Sequence, residues 1–318
     1  MAYQRSPDFI FSAIFDDELI KDCPPCDFTP VGNESVVSLV NDFENGKWRY
    51  VKFLNFVLNN LKETALTAAE RAALVNKEGD ILSRAADRLR IEEDKDSNSR
   101  GSEIAEILLY GLMREYYGAL PAVPKIWHKQ NRQTTAKGAD SVHVIVKDDN
   151  RFEFWLGEAK FYKELSGAMA KAVQSVDETV SLAAIRKENS FVTELDDLKI
   201  CLRGKYPDKA DSLWKGISQM LDVNTSIDAL KPILHIPILL LHECKITQQE
   251  TGFTDDYKSK VKAAHLKEAK SYFKKQIEAL KDAVPLYSEM HFHLILFPVP
   301  QKERIVNEFY KRVEPYRE

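Results

Sequence analysis

Four cysteines in 318 residues are too few for a disulfide framework. Cys23 and Cys26 form a Cys-Pro-Pro-Cys run. It has no second CxxC or CxxH to complete a zinc site, and its two prolines and following loop disfavour a thioredoxin-like helix start. These cysteines read as ordinary reduced thiols. No apolar run approaches the roughly 18 residues of a membrane span, which excludes a helical membrane protein. The opening MAYQRSPDF lacks a basic stretch followed by an apolar one. No secretory signal is therefore expected, and a cytoplasmic location is. Neither sign of charge dominates: 45 Lys+Arg stand against 49 Asp+Glu, a net charge of -4. That excludes a strongly basic nucleic-acid coat protein, but not an enzyme that meets nucleic acid through a local patch. GxxxxGK[ST], GxSxG, HExxH and HxxxH are all missing. ATP hydrolysis by this chain, a serine hydrolase and a zinc hydrolase are thereby disfavoured. His291 and His293 share one strand face, and His235 and His242 bracket an apolar run, but the histidines form no motif.

What is present is a folding chain: 44% hydrophobic and 30% charged, long enough for two domains or one elaborated domain. Residues 8–15 read as a strand and 21–33 as a loop. From Val36 to Leu89 the spacing of Val51, Leu54, Val57, Leu58 and Leu61 predicts helix. The charged, polar run 92–101 reads as a linker. It divides a mainly helical accessory or partner-binding region, 1–95, from a second region, 96–318. There, Ser102–Tyr117 predicts a helix capped by Ser102 and ended by Gly118. Strands follow at Val123–Trp127, Asp140–Lys147 and Arg151–Tyr162. A helix over Ser166–Lys187 precedes a helical insertion near 190–231. The apolar Ile233–Leu241 reads as a strand buried on both faces. A Lys-rich helix, Tyr257–Val284, and a last strand, Met290–Val299, complete the pattern. This order predicts an α/β fold with a central mixed sheet flanked by helices.

The chemistry points to one strand end. In FEFWLGEAKFY, residues two apart share a face, so Phe152, Phe154, Leu156, Glu158 and Lys160 align. Glu158 is a hard oxygen ligand suited to Mg²⁺, with Mn²⁺ as a substitute, and the Ala159 carbonyl is a second. Lys160 stands where it can orient water or stabilise charge on a phosphate. One carboxylate holds Mg²⁺ poorly. Asp140, 18 residues before Glu158, heads the preceding strand and can face it. A third acid comes from the helix as Glu103, on its polar face, or Glu106, at the margin of its apolar face, with Glu106 preferred. Glu-x-Lys alone is uninformative, since it recurs at Glu93/Lys95, Glu243/Lys245 and Glu268/Lys270. Of these only Glu243/Lys245 also closes an apolar strand, and no Asp-headed strand precedes it.

This set, a helix glutamate, then Gly138-Ala139-Asp140, then Gly157-Glu158-Ala159-Lys160, resembles the PD-(D/E)XK nuclease superfamily. Gly-Ala-Asp stands in place of its Pro-Asp. The strings RGSEIAEILLYGL, KGADSVHV and WLGEAKFY resemble HamA, the effector family of the Hachiman antiphage defence system. The likeness spans about residues 95–300 and is sharpest over 100–180. It implies a metal-dependent DNA nuclease that works with, and is restrained by, a HamB-like superfamily 2 helicase. DNA contact is expected from Lys125, Lys129, Arg132 and Lys137, with His128, a run free of acids that leads into Asp140. Lys171 and Gln174, on the helix after Lys160, are weaker candidates. Eight lysines within 258–281 read mainly as a solvated helix face. The rival reading is a catalytically inactive nuclease-fold module that binds DNA or docks a helicase. An RNA-directed nuclease of the same fold is a third. A homo-oligomer is left open by the sequence.

Overall fold

The computed structural model describes residues 5–16, 33–90, 101–126, 138–147 and 150–317. Among them, seven strands form one mixed sheet in the order β1-β2-β9-β8-β7-β6-β5. These are β1 Ser12–Phe15, β2 Glu34–Val40, β5 Leu120–Val123, β6 Ser141–Val146, β7 Phe152–Tyr162, β8 Leu234–Glu243 and β9 His291–Val299. Strands β2, β9, β8 and β7 run parallel, and β1, β6 and β5 complete the edges antiparallel. A parallel block must be covered on both faces, and β8 is buried throughout except at Glu243.

Two helical layers provide that cover. On one face lie α1 Tyr50–Ala65, α3 Glu78–Asp87, α4 Ser102–Glu115 and the C-terminal α12 Lys302–Val313. The short α2 Ala68–Ala73 follows α1. On the other face lie α5 Leu165–Thr179, α6 Leu182–Glu194, α7 Asp197–Lys205, α8 Ala210–Met220, α9 Ile227–Leu230 and the long α11 Asp255–Leu280. The helix α10 Lys245–Gln249 follows β8. Elements α7 to α9 fall where a helical insertion is expected.

Several expectations are corrected. Residues 36–40 are strand, not helix, because Val36-Val37-Ser38-Leu39-Val40 is a short β-branched run buried on both faces between β1 and β9. A run that short carries no period able to separate helix from strand. The residues before 95 thus give β1 and β2 to the same sheet as the strands after it. A tight hairpin follows, β3 Phe43–Glu44 and β4 Lys47–Trp48, turned by Asn45 and Gly46 with φ of 50° and 73°. Asn-Gly is the sequence mark of that turn. Ser102 is the first residue of α4 rather than its cap. The cap is Gly101, whose φ is 89° and whose Cβ position would lie 2.7 Å from the Val306 side chain. β5 lies three residues before its expected start. The helix expected over 166–187 breaks at Val180, because the Ser181 side chain accepts the Ala184 N–H and starts α6. The loop at 21–33, but for Asn33, the Cys-Pro-Pro-Cys run and nearly all of the linker, 92–100, lie outside the described residues.

Gly157 decides how closely α4 approaches β7. A Cβ there would lie 2.3 Å from Ser141 Oγ, 2.8 Å from Leu109 Cδ2 and 3.1 Å from Pro237 Cγ. Only glycine lets the helix, Ser141 of the neighbouring β6 and Pro237 of β8 meet at that point. Gly157→Ala is expected to destabilise the chain by about 1–3 kcal/mol through overpacking. Urea denaturation measures it, and an unchanged midpoint would contradict the close approach.

Five histidines are buried as neutral rings. His235 and His293 are joined by a 2.8 Å ring–ring hydrogen bond, and Ser35 Oγ lies 2.7 Å from His293 Nδ1. Both rings stack on Trp155. His265 bonds Ser38 and His242, and His143 packs on Tyr110. Burial lowers the pKa of all five: to about 3 for His143 and His293, to about 4 for His242, and well below 6.5 for His235 and His265. The unfolded chain therefore takes up protons below pH 6.5 that the folded chain refuses. Stability is full above that pH and falls as pH drops, by about 1.4 kcal/mol per pH unit for each such histidine. Thermal unfolding followed from about pH 7.5 to 4.5 should show a steep fall below pH 6, and a flat profile would contradict it.

Candidate active site

The antiparallel pairing of β6 with β7 ends at Ser141 opposite Gly157. Asp140 extends that ladder by one bond, its N–H donating to the Gly157 carbonyl at 2.7 Å. Its carboxylate then turns back to β7, where Asp140 Oδ2 accepts the Ala159 N–H at 3.0 Å. In a strand, the N–H and C=O of one residue point to the same edge. The Ala159 carbonyl therefore faces the side on which Asp140 sits, past the start of β6.

Glu158 and Lys160 leave β7 on its other face, as the period of two requires. Lys160 Nζ lies 3.1 Å from Glu158 Oε2 and 3.6 Å from Asp140 Oδ2, so one ammonium bridges two carboxylates. The Thr179 hydroxyl, at the end of α5, donates to Glu158 Oε1. Glu158 is 4% exposed. Burial and then the Asp140 charge push its pKa up to about 8, against the opposing pull of Lys160 and Thr179. Burial acts against the charge of Lys160, but Asp140, Glu158 and Glu106 outweigh it and hold the ammonium above its ordinary pKa.

The two helix glutamates part company. Glu106 is 8% exposed, and its charge reaches Lys160. Glu103 instead accepts the Arg90 N–H with both oxygens, at 3.2 Å each. The structure thus gathers Asp140, Glu158, Ala159 and Lys160 by direct bonds, links Glu106 to them through its charge on Lys160, and engages Glu103 at Arg90. The competing pair at Glu243/Lys245 is structural: Glu243 Oε1 accepts the Lys302 N–H at 2.6 Å, at the start of α12. Sequence reasoning missed Thr179, which lies 21 residues after Glu158 with no motif to mark it.

The expected DNA contacts fare differently. Lys125 is not a surface cation. Its Nζ lies 2.8 and 2.9 Å from the two oxygens of Glu188, with side chains 5% and 0% exposed. The basic run looked solvent-facing because its counter-charge lies 63 residues away, on α6. Lys129, Arg132 and Lys137 lie outside the described residues. Lys171 and Gln174 stand exposed on α5. Lys171 Nζ is 5.9 Å from the centre of the Tyr162 ring, at the end of β7, and Gln174 bonds Glu178 at 3.3 Å. On α11, Lys258, Lys260 and Lys274 pair with acids three or four residues away, as on a solvated helix face.

Among the described residues, no three or more His, Cys, Asp or Glu side chains form a ready metal-binding group. The donors at the strand end nonetheless suit a hard cation. Two carboxylates and a strand carbonyl are all oxygen, and a single ammonium stands between the two carboxylates.

A seven-stranded mixed sheet, helices on both faces and an acid–lysine cluster at the end of one strand define a nuclease-like α/β protein. A model of the HamA family matches residues 14–313, and the chain belongs to that family. It is thereby a protein associated with Hachiman antiviral defence. No curated protein matches the chain, and no solved structure does. Among the described residues, no helix is long and apolar enough to cross a membrane.

Because Glu158 holds its proton more tightly when folded, its contribution to stability is lost as pH rises from about 4.5 to about 8. Glu158→Gln should therefore be more stable than the parent chain near pH 8.5, with the difference closing toward pH 5. Thermal unfolding of both proteins across that range checks it. A gap that widens toward acid would contradict the assignment.

Proposed function

We propose that this chain is a Mg²⁺-dependent deoxyribonuclease, the effector of a two-component antiphage complex restrained by a superfamily 2 helicase. The observation that carries this reading is the Lys160 ammonium held between Asp140 and Glu158 at the end of β7. Asp140, Glu158 and the Ala159 carbonyl would hold the metal, Mg²⁺ or Mn²⁺, with Glu106 beside them. A divalent cation supplies Lewis-acid stabilisation of phosphate charge and a lowered pKa for attacking water. Lys160 donates hydrogen bonds, either orienting that water or meeting charge that develops on the phosphate. Thr179 fixes one oxygen of Glu158 and leaves the other toward Lys160. The Ala159 N–H fixes Asp140. Lys171, whose Nζ lies 5.9 Å from the Tyr162 ring at the end of the same strand, would meet a DNA phosphate.

One observation favours a second reading. Lys160 already pairs with both carboxylates, as a cation would. In a binding module that pair would be structural, and DNA would bind equally well in Mg²⁺ or EDTA.

Supercoiled plasmid, incubated with the chain alone and with its helicase partner and ATP, separates the two. Cleavage is expected in Mg²⁺ or Mn²⁺ and not in EDTA. Glu158→Ala and Lys160→Ala should each lower the rate by about 10²–10⁴-fold, the scale of a lost catalytic group. Cutting that persists in both variants would refute the site. Metal-independent DNA binding without cutting under every condition would establish the binding module.

A further inference from the structure

We propose that Glu188 is a positioning residue that sets Asp140 for its role at the metal site. The inference rests on the proposed function. Glu188 lies on α6, outside the acid–lysine cluster, and is fully buried. Its carboxylate makes three bonds to two separate stretches of chain. Both oxygens accept from Lys125 Nζ, two residues after β5. Oε1 also accepts the Ala139 N–H at 3.1 Å. The next residue is Asp140.

The fit at Gly138 shows how closely the carboxylate approaches this turn. A Cβ on Gly138 would lie 2.3 Å from Glu188 Oε1. Glycine therefore lets the carboxylate come against the backbone one residue before its bond to Ala139. On the far side, Asp140 is tied to β7 through its N–H to Gly157 and its carboxylate from Ala159. Gly138-Ala139-Asp140 is thus held from two sides, by Glu188 and by β7. Loss of the Glu188 bond removes the hold on one of those two sides.

A buried ion pair is weak evidence for a purely stabilising role, because an apolar pair of similar volume often stabilises as well or better. The bond to Ala139 is what an apolar pair cannot replace. Outer-shell groups that orient metal ligands typically change metal affinity by about 10- to 100-fold when removed. Glu188 therefore acts through Asp140, without touching substrate or metal, and the two bonds from Lys125 hold its carboxylate in place.

Two double variants of the full chain separate positioning from packing. Glu188→Gln with Lys125→Met removes the charges but keeps an acceptor for Ala139. Glu188→Met with Lys125→Met removes the acceptor as well. Three quantities are read: the unfolding midpoint, Mn²⁺ affinity by calorimetry, and hydrogen exchange of the Ala139 amide. The first variant should bind Mn²⁺ within about threefold of the parent. The second should keep the midpoint but lose about 10- to 100-fold in Mn²⁺ affinity, with the Ala139 amide exchanging faster. Parental affinity in the second variant would overturn the proposal. Gly138→Ala, which drives a methyl group into the same carboxylate, supplies an independent variant should the Met pair not fold, and it too should weaken Mn²⁺. If the parent neither binds Mn²⁺ nor cuts DNA, the metal-site reading itself fails. The Ala139 exchange then still decides whether Glu188 fixes the turn, and equal protection in both double variants overturns that.

Discussion

The hydrogen bond from the Ala159 amide to the Asp140 carboxylate ties the site to the sheet. It stands where β6 has just begun and β7 runs on past it, paired with β8 along its other edge. The Ala159 bond fixes the Asp140 carboxylate, while the backbone there is held by the Gly157 carbonyl and by Glu188 at Ala139. With that bond, Asp140 and Glu158 are held within reach of one lysine. The parallel block of β2, β9, β8 and β7 supplies the rigid floor, and Gly157 lets α4 come down close against β7.

The site is electrostatically strained in one direction. Acidic groups outnumber the single ammonium, and burial denies them water. The buried histidines of the sheet and of α11 are strained in the opposite sense, kept neutral by burial. One fold thus holds two sets of groups whose proton preferences diverge. The histidines make the chain acid-sensitive, whereas the carboxylate cluster favours added positive charge. That preference is what a divalent cation at the strand end would satisfy.

Much of this was legible in the sequence. The two-residue period through Phe154, Leu156, Glu158 and Lys160 placed the acid and the lysine on one face, and the spacing to Asp140 matched an antiparallel neighbour. The apolar runs of β8 and β9 were legible because central parallel strands have no solvent face to encode. What escaped were partners far apart in the chain. Glu188 neutralises Lys125, Thr179 binds Glu158, and β2 inserts beside β9, and none of these leaves a local period. Lys125 shows the consequence. A cation in an acid-free run reads as a surface contact until the fold supplies its partner. The Asn45-Gly46 turn was in the sequence and marks the hairpin that interrupts the expected helix.

Crystals of the chain soaked in Mn²⁺, with data collected at the manganese absorption edge, test the central claim most directly. The account predicts an anomalous peak bounded by the Asp140 carboxylate, the Glu158 carboxylate and the Ala159 carbonyl, lost in Asp140→Asn. No peak there, with Lys160 still bridging the two carboxylates at saturating Mn²⁺, would contradict it.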